Sequence, residues 1–242
     1  MKIADRMENL SPSVTMAITA LARELKAQGK DILSFSAGEP DFDTPEIIKQ
    51  AAIKAINDGQ TKYTAVEGII ATKQAIINKL KKDHNLDYKL DNILISNGAK
   101  HSLFNLFQVL VEEGDEVIIP APYWVTYPEQ VKFSDGVPVF IDTDDSTEFK
   151  ITPEQLKAVI TPKTKILLLN TPSNPTGSVY TREELTALGK VLEGTDIIVL
   201  SDEMYEKIIY NGKKFTAAAE VSEDMFKRTV TINGLSKAVA MT

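Results

Sequence analysis

The sequence contains no cysteine, which excludes disulfide bonds, thiolate metal sites and cysteine nucleophiles. Its two histidines, His84 and His101, are too few for a histidine-rich metal centre, and we predict no metal. No stretch approaches the about 20 consecutive apolar residues that a membrane-spanning helix needs. The N-terminus is charged and has no apolar signal segment. These absences favour a cytoplasmic enzyme without a membrane partner.

Basic residues are also scarce relative to acidic ones. Lysine and arginine number 27 against 34 aspartates and glutamates, which gives a formal net charge of −7. Nucleic acids and anionic membranes favour basic surfaces, so neither partner is expected. The 242 residues, 43% of them apolar, are enough for one large domain or two small ones.

Hydrophobic periodicity predicts a helical first third, followed by strands that alternate with helices. The predicted helices span 13–28, 44–59, 67–82, 99–111, 123–132, 153–160 and 182–192. The predicted strands span 93–96, 116–119, 137–141, 165–169, 196–200 and 229–232. Thr152 and Thr181 carry helix start signals. This alternation indicates an α/β fold whose mostly parallel sheet is covered on both faces by helices.

Polar and aromatic residues follow five of the predicted strands. Open α/β sheets bind ligands outside the carboxyl ends of their strands, so these segments should converge on one crevice. They are Asn97-Gly98-Ala99-Lys100, Pro120-Ala121-Pro122-Tyr123-Trp124, residues 170–177, Ser201-Asp202-Glu203-Met204-Tyr205 and Lys237. Lys237 could form an imine with an aldehyde cofactor or a carbonyl substrate.

Each of these features also has an ordinary structural explanation. Ser96-Asn97-Gly98 could be a simple strand-to-helix turn. Alternatively, it could lead into a helix N-terminus whose amides, those of Ala99 and Lys100, hold a phosphate. The Trp124 side chain could serve ordinary core or surface packing, or its face could stack on a planar ring. Asn174 lies in a proline-rich turn where asparagine is common. Asp202 is either a helix N-cap or a functional carboxylate, and Lys237 alone is most often a solvated lysine.

Several segments, in this order, resemble the class I aminotransferases, pyridoxal-phosphate enzymes of the aspartate aminotransferase type. The resemblance covers the whole chain and is nearest to the bacterial branch of that type. The matching segments are Gly38-Glu39-Pro40-Asp41-Phe42-Asp43-Thr44-Pro45, Lys62-Tyr63, Tyr123-Trp124-Val125-Thr126-Tyr127-Pro128, Asn170-Thr171-Pro172-Ser173-Asn174-Pro175-Thr176-Gly177, Ser201-Asp202-Glu203-Met204-Tyr205-Glu206 and 236–242.

The resemblance implies roles for three catalytic residues. Lys237 would carry pyridoxal 5′-phosphate (PLP) as an internal aldimine and would move the proton between the substrate Cα and the cofactor. Asp202 would pair with the pyridine nitrogen of the cofactor and keep it protonated. Tyr205 would hydrogen-bond the cofactor O3′. The implied reaction is transamination between an amino acid, with aspartate favoured, and a 2-oxo acid such as 2-oxoglutarate.

The resemblance also implies the remaining contacts and the domain organisation. Asn174 would share the O3′ contact, Trp124 would stack on the ring, and the amides of Ala99 and Lys100 would bind the phosphate. Trp124, Asn174 and Gly38 would contact the substrate. Tyr63 would reach the phosphate of a neighbouring subunit, which implies a homodimer. Residues 1–45 would belong to a small domain and 46–242 to a large cofactor-binding domain of fold-type I.

The sequence departs from the family pattern in three places. Gly234 stands where the family often has a serine that contacts the phosphate. Ser11 precedes Pro12-Ser13 where some members carry a lysine associated with prephenate use, so that activity is not expected. Relatives continue beyond Met241-Thr242 with Gly-Trp-Arg and most of a small domain, so we expect little transaminase activity from the 242 residues alone. A PLP-dependent lyase or synthase of the same fold, or a non-catalytic binding domain, remains an alternative.

Overall fold

The computed structural model describes residues 2–4, 7–8, 10–12, 14–35 and 38–242. Its centre is a five-stranded, fully parallel sheet in the order β2-β1-β3-β4-β5. The strands are β1 Glu116–Ala121, β2 Val137–Asp142, β3 Thr164–Asn170, β4 Ile198–Asp202 and β5 Thr229–Ile232. The predicted α/β class with a parallel sheet is confirmed.

Nine α-helices lie in the described residues, most of them between the strands. They are α1 Val14–Ala27, α2 Glu46–Asn57, α3 Ile70–His84, α4 Ala99–Leu110, α5 Thr126–Phe133, α6 Pro153–Val159, α7 Arg182–Leu192, α8 Glu223–Arg228 and α9 Leu235–Ala238. The predicted start signals are confirmed, because Thr152 and Thr181 both form capping boxes, with Gln155 and Glu184.

Alternate residues of the central strands point into two separate apolar layers, as expected for a sheet covered on both faces. On one face, Leu167 and Leu169 of β3 pack with α6, α7 and α8. On the other face, Ile166 and Leu168 pack with α4 and α5. These four strand residues are at most 1% exposed, so β3 lies at the centre of the core.

Helix α3 is attached at the side of this sandwich by a smaller apolar cluster. Leu80 of α3 packs there with Leu86, Ala217 and Ala219. The preceding helix α2 has no buried residue, and its Ile47 is 80% exposed. The apolar contacts of the molecule are therefore concentrated around the sheet.

The predicted strand at 93–96 is wrong, because this segment pairs with none of the five strands. It is extended, and the Ile95 amide donates to the Glu67 carbonyl at 3.1 Å. Leu94 is 62% exposed. A short apolar run is compatible with an extended backbone, but it does not establish that a pairing partner is present.

Other element boundaries moved by a few residues. Helix α5 begins at Thr126 rather than at 123, and α3 spans Ile70–His84 rather than 67–82. Helix α8 was not predicted, because six residues are too few to display helical periodicity. Lys237 lies within α9, which is a single turn that follows β5. Ser13, at the start of the first predicted helix, lies outside the described residues, as do Ser36 and Ala37.

Candidate active site

The site forms where the order of the strands reverses. Strand β1 pairs with β2 on one side and with β3 on the other, so the chain leaves β1 and β3 in opposite directions. The loops after these two strands border a pocket lined by Pro122, Tyr123, Tyr127, Asn170 and Asn174. Four of the five predicted segments follow ordered strands at this end of the sheet, namely those at the ends of β1, β3, β4 and β5. The segment 97–100 does not, because 93–96 is not a strand.

Asp202 is the last residue of β4, beside Asn170 of β3 and Ile232 of β5. The residue is 4% exposed. Its Oδ2 accepts a hydrogen bond from the Tyr127 hydroxyl at 2.6 Å, and its Oδ1 accepts one from the Met204 amide at 3.2 Å. Burial raises the pKa of Asp202, while both hydrogen bonds oppose that rise. Asp202 therefore caps a local turn and is also a buried carboxylate held from two sides.

Tyr127 is a site residue that the sequence did not reveal. It lies on α5, is 1% exposed, and burial raises its pKa well above the ordinary value, so its hydroxyl remains a donor to Asp202. Its ring meets Trp124 edge to face, with centroids 5.3 Å apart. One sequence feature could have indicated Tyr127: it lies three residues after Trp124, which was already a candidate site residue.

Two asparagines connect the segment after β3 with the segment after β4. The Asn170 side chain donates to the Asp202 carbonyl at 3.0 Å and accepts from the Asn174 amide at 2.6 Å. The Asn174 side chain in turn reaches the Tyr205 hydroxyl at 3.4 Å. Burial and the nearby Asp202 charge raise the pKa of Tyr205. Predicted residues Asn174, Asp202 and Tyr205 are thus brought together.

Trp124 and Lys100 meet beside this group. The Lys100 ammonium lies 5.2 Å from the Trp124 ring centroid, within cation–π range. Trp124 is half-buried and packs on the apolar layer between the sheet and α4. Ala99 and Lys100 open α4, whose first amides have no partner within the helix. Gln130 of α5 donates to the Lys100 carbonyl at 2.9 Å and fixes this helix end.

Lys237 and Gly38, predicted to act at one site, are in contact. The Lys237 ammonium donates to the Gly38 carbonyl. Close by, the Thr44 hydroxyl donates to the Ala240 carbonyl at 2.6 Å. The segment 38–44 therefore packs against the chain that follows β5. Tyr63, in contrast, is fully exposed and is not joined to this group.

Side-chain contacts link a buried carboxylate, an aromatic ring and a helix N-terminus, and a lysine lies on the connection after the neighbouring strand β5. With its parallel sheet, this is the architecture of the fold-type I aminotransferases. The family model for aminotransferase class I and II matches residues 30–242, and the chain belongs to this family.

Several aspartate aminotransferases are similar to this chain in sequence or in structure. The chain is 54% identical over 242 residues to the aspartate aminotransferase of Geobacillus stearothermophilus, with 100% of this chain and 62% of the relative covered. The Rhizobium meliloti aspartate aminotransferase structure matches with a TM-score of 0.96, 44% identity and coverage of 100% and 61%. The structure of the Thermus thermophilus aspartate aminotransferase with maleate matches with a TM-score of 0.95 and 41% identity. The match covers 100% of this chain and 62% of that enzyme. The chain thus spans less than two thirds of these relatives' length.

Among the helices of the described residues, none is both long and apolar enough to cross a bilayer.

Proposed function

We propose that the chain forms the PLP-binding part of an aminotransferase that transfers an amino group between aspartate, or a similar amino acid, and a 2-oxo acid such as 2-oxoglutarate. The observation that carries this proposal is the buried Asp202 carboxylate at the end of β4, beside the strand that leads to Lys237. A carboxylate that is 4% exposed is costly to maintain unless a cation faces it. The ring nitrogen of PLP, when protonated, is such a cation.

The residues present fit this cofactor group by group. The α4 N-terminus at Ala99 and Lys100 suits a phosphate, since free amides and the helix dipole favour anions. Trp124 offers a ring face. Tyr205 and Asn174 offer polar hydrogens next to Asp202. The donor set of the site therefore matches the phosphate, ring and hydroxyl of PLP.

When bound, PLP supplies an aldehyde for an amine and a protonated ring that accepts electron density from the substrate. The chain's own residues do the rest. Asp202 would hold the ring nitrogen proton, and Tyr127 would keep the Asp202 carboxylate oriented and anionic. Lys237 would take the proton from the substrate Cα and return it. Gly38, Trp124 and Asn174 would contact the substrate and keep it in place.

The same proposal covers the domain organisation and assembly. Residues 46–242 would form the cofactor domain and 1–45 would belong to a second domain, in a cytoplasmic homodimer. The exposed Tyr63 supports this assembly, because a fully exposed aromatic ring is available to a neighbouring subunit.

The role of Asp202 can be tested by titrating the purified chain with PLP and recording its absorbance spectrum. We expect Asp202→Asn to weaken PLP binding by about tenfold or more, since it removes a charge-assisted hydrogen bond. Asp196→Asn is the matched control, because Asp196 is exposed and lies two residues before β4, away from the end that carries Asp202. Equal affinity of Asp202→Asn and wild type would contradict the proposed role.

A further inference from the structure

A buried histidine lies outside the site, at the last residue of α3. The side chain of His84 is 7% exposed. Its Nδ1 is 3.0 Å from Glu220 Oε2, and its Nε2 is 3.3 Å from Glu206 Oε2. The Phe215 ring meets the imidazole edge to face at 5.4 Å. Both ring nitrogens therefore face carboxylates from different parts of the chain.

The protonation state of this imidazole follows from its partners. A neutral imidazole has one N–H, and its other nitrogen would turn a lone pair toward a carboxylate, which can only accept. An imidazolium has two N–H groups and satisfies both glutamates. The position also favours a cation, because a helix C-terminus carries partial negative charge. The geometry is therefore that of a charged histidine.

The two carboxylates extend the contact to further elements. Glu206 lies in the turn 204–207, directly after Tyr205, and accepts from Lys79 of α3 at 2.5 Å. Glu220 lies in the short 3-10 helix Ala218–Glu220 and also pairs with Arg182 of α7. His84 thus connects α3 with the turn after β4 and with α7.

Other charged groups surround the ring. Lys79 and Asp83 belong to α3, while Glu203 and Lys207 flank Glu206 on the turn side. Burial and the Lys79 charge oppose protonation of His84. The hydrogen bond to Glu206, with the charges of Glu206 and Glu203, outweighs them and raises the pKa of His84 above 6.5. This direction agrees with the geometry of the two nitrogens.

We propose that His84 is an imidazolium bridge that fastens α3 to the turn 204–207 and to Glu220, and that rising pH releases it. The turn held in this way presents Tyr205 to the site. The bridge does not depend on what the site binds.

The direction of the pH effect follows from linkage. A histidine with a raised folded-state pKa stabilises the fold fully below pH 6.5, its unfolded value, and this contribution is lost as pH rises through the folded-state pKa. Between these two pKa values, the wild type loses stability relative to a variant without the imidazole. The ratio of their unfolding constants changes by up to about tenfold for each pH unit.

The first test is NMR of the wild-type chain with ¹⁵N-labelled histidine. The chain has two histidines, and His101, which is exposed, serves as the reference and is assigned with His101→Gln. We expect the His84 signals to show two protonated nitrogens at pH 6 and to titrate above 6.5. A His84 that is neutral at pH 6 would overturn the proposal.

The second test is a double-mutant cycle of His84→Gln and Glu220→Gln, followed by urea unfolding. At pH 6 the two substitutions should couple by at least about threefold in the unfolding constant, and the coupling should disappear at pH 9. The effect of His84→Gln on the neighbouring Glu203 enters both halves of the cycle and cancels. A cycle of His101→Gln with Glu220→Gln should show no coupling. Coupling of His84 that is absent at pH 6, or equal at both pH values, would contradict a charged bridge.

Discussion

At the scale of single residues, Tyr127 and Asp202 form the pair on which the site depends. Both are buried, and the hydroxyl lies 2.6 Å from Asp202 Oδ2. Hydrogen bonds to charged groups contribute about 1.5–3 kcal/mol, so we expect Tyr127→Phe to lower the free energy of unfolding by about that amount at pH 7. Urea denaturation measures it. Tyr123→Phe is the control, because its hydroxyl is not among the donors to Asp202. A loss no larger than that of the control would contradict the role of Tyr127.

The adjacent glutamates Glu203 and Glu206 should respond to pH in opposite ways. Glu203 is fully buried, its Oε1 accepts from Ser201 and Ala218, and its Oε2 has no partner in the described part of the chain. Burial raises its pKa from 4.5 to about 7. Burial also opposes ionisation of Glu206, but the His84 and Lys79 hydrogen bonds prevail and lower its pKa to about 2.

Glu203→Gln tests this difference. The stability that the protonated Glu203 contributes is complete below pH 4.5 and is lost as pH rises to about 7. The variant should therefore gain stability over wild type with rising pH, on the order of 3 kcal/mol at pH 8.

Glu206→Gln should instead be less stable than wild type at pH 7, with a deficit that shrinks as pH falls from 4.5 toward 2. Urea unfolding at several pH values measures the free energy of unfolding of both variants and of the wild type. A difference between Glu203→Gln and wild type that does not change with pH would be inconsistent with this account.

At the scale of elements, the α7 capping box is the clearest local signal. The Thr181 hydroxyl accepts from the Glu184 amide at 3.2 Å, and the Glu184 carboxylate accepts from the Thr181 amide at 2.7 Å. Thr181→Ala should cost about 1 kcal/mol in thermal or urea unfolding. Thr186→Ala on the same helix is the control and should be close to neutral, since its hydroxyl bonds back to the Arg182 carbonyl rather than capping the helix. Equal effects would argue against the cap.

Local signals explain which elements could be predicted from the sequence. Strand β5 has the predicted limits 229–232, and both threonine caps are as predicted. The segment 93–96 shows the limit of such signals, since its apolar run carries no information on pairing. Contacts between distant residues were also out of reach. Tyr127 and Asp202 are 75 residues apart, and His84 and Glu206 are 122 apart.

At the scale of the whole molecule, the parallel sheet brings the candidate site together. Segments that are separated in sequence place Trp124, Asn174, Asp202 and Tyr205 in one group of contacts, which runs through Tyr127 and Asn170. Lys237 lies on the connection after β5, the strand beside β4. This convergence could be predicted, because parallel strands present their carboxyl ends at one edge.

The central claim is that one lysine of the whole molecule, Lys237, takes up PLP opposite Asp202. The chain is incubated with PLP, reduced with borohydride, which fixes lysine adducts, and digested for peptide mass spectrometry. We predict the phosphopyridoxyl mass on Lys237 at near-stoichiometric yield, ahead of every other lysine, and its loss in Lys237→Ala. Labelling spread evenly over surface lysines, or unchanged total labelling in Lys237→Ala, would contradict the account.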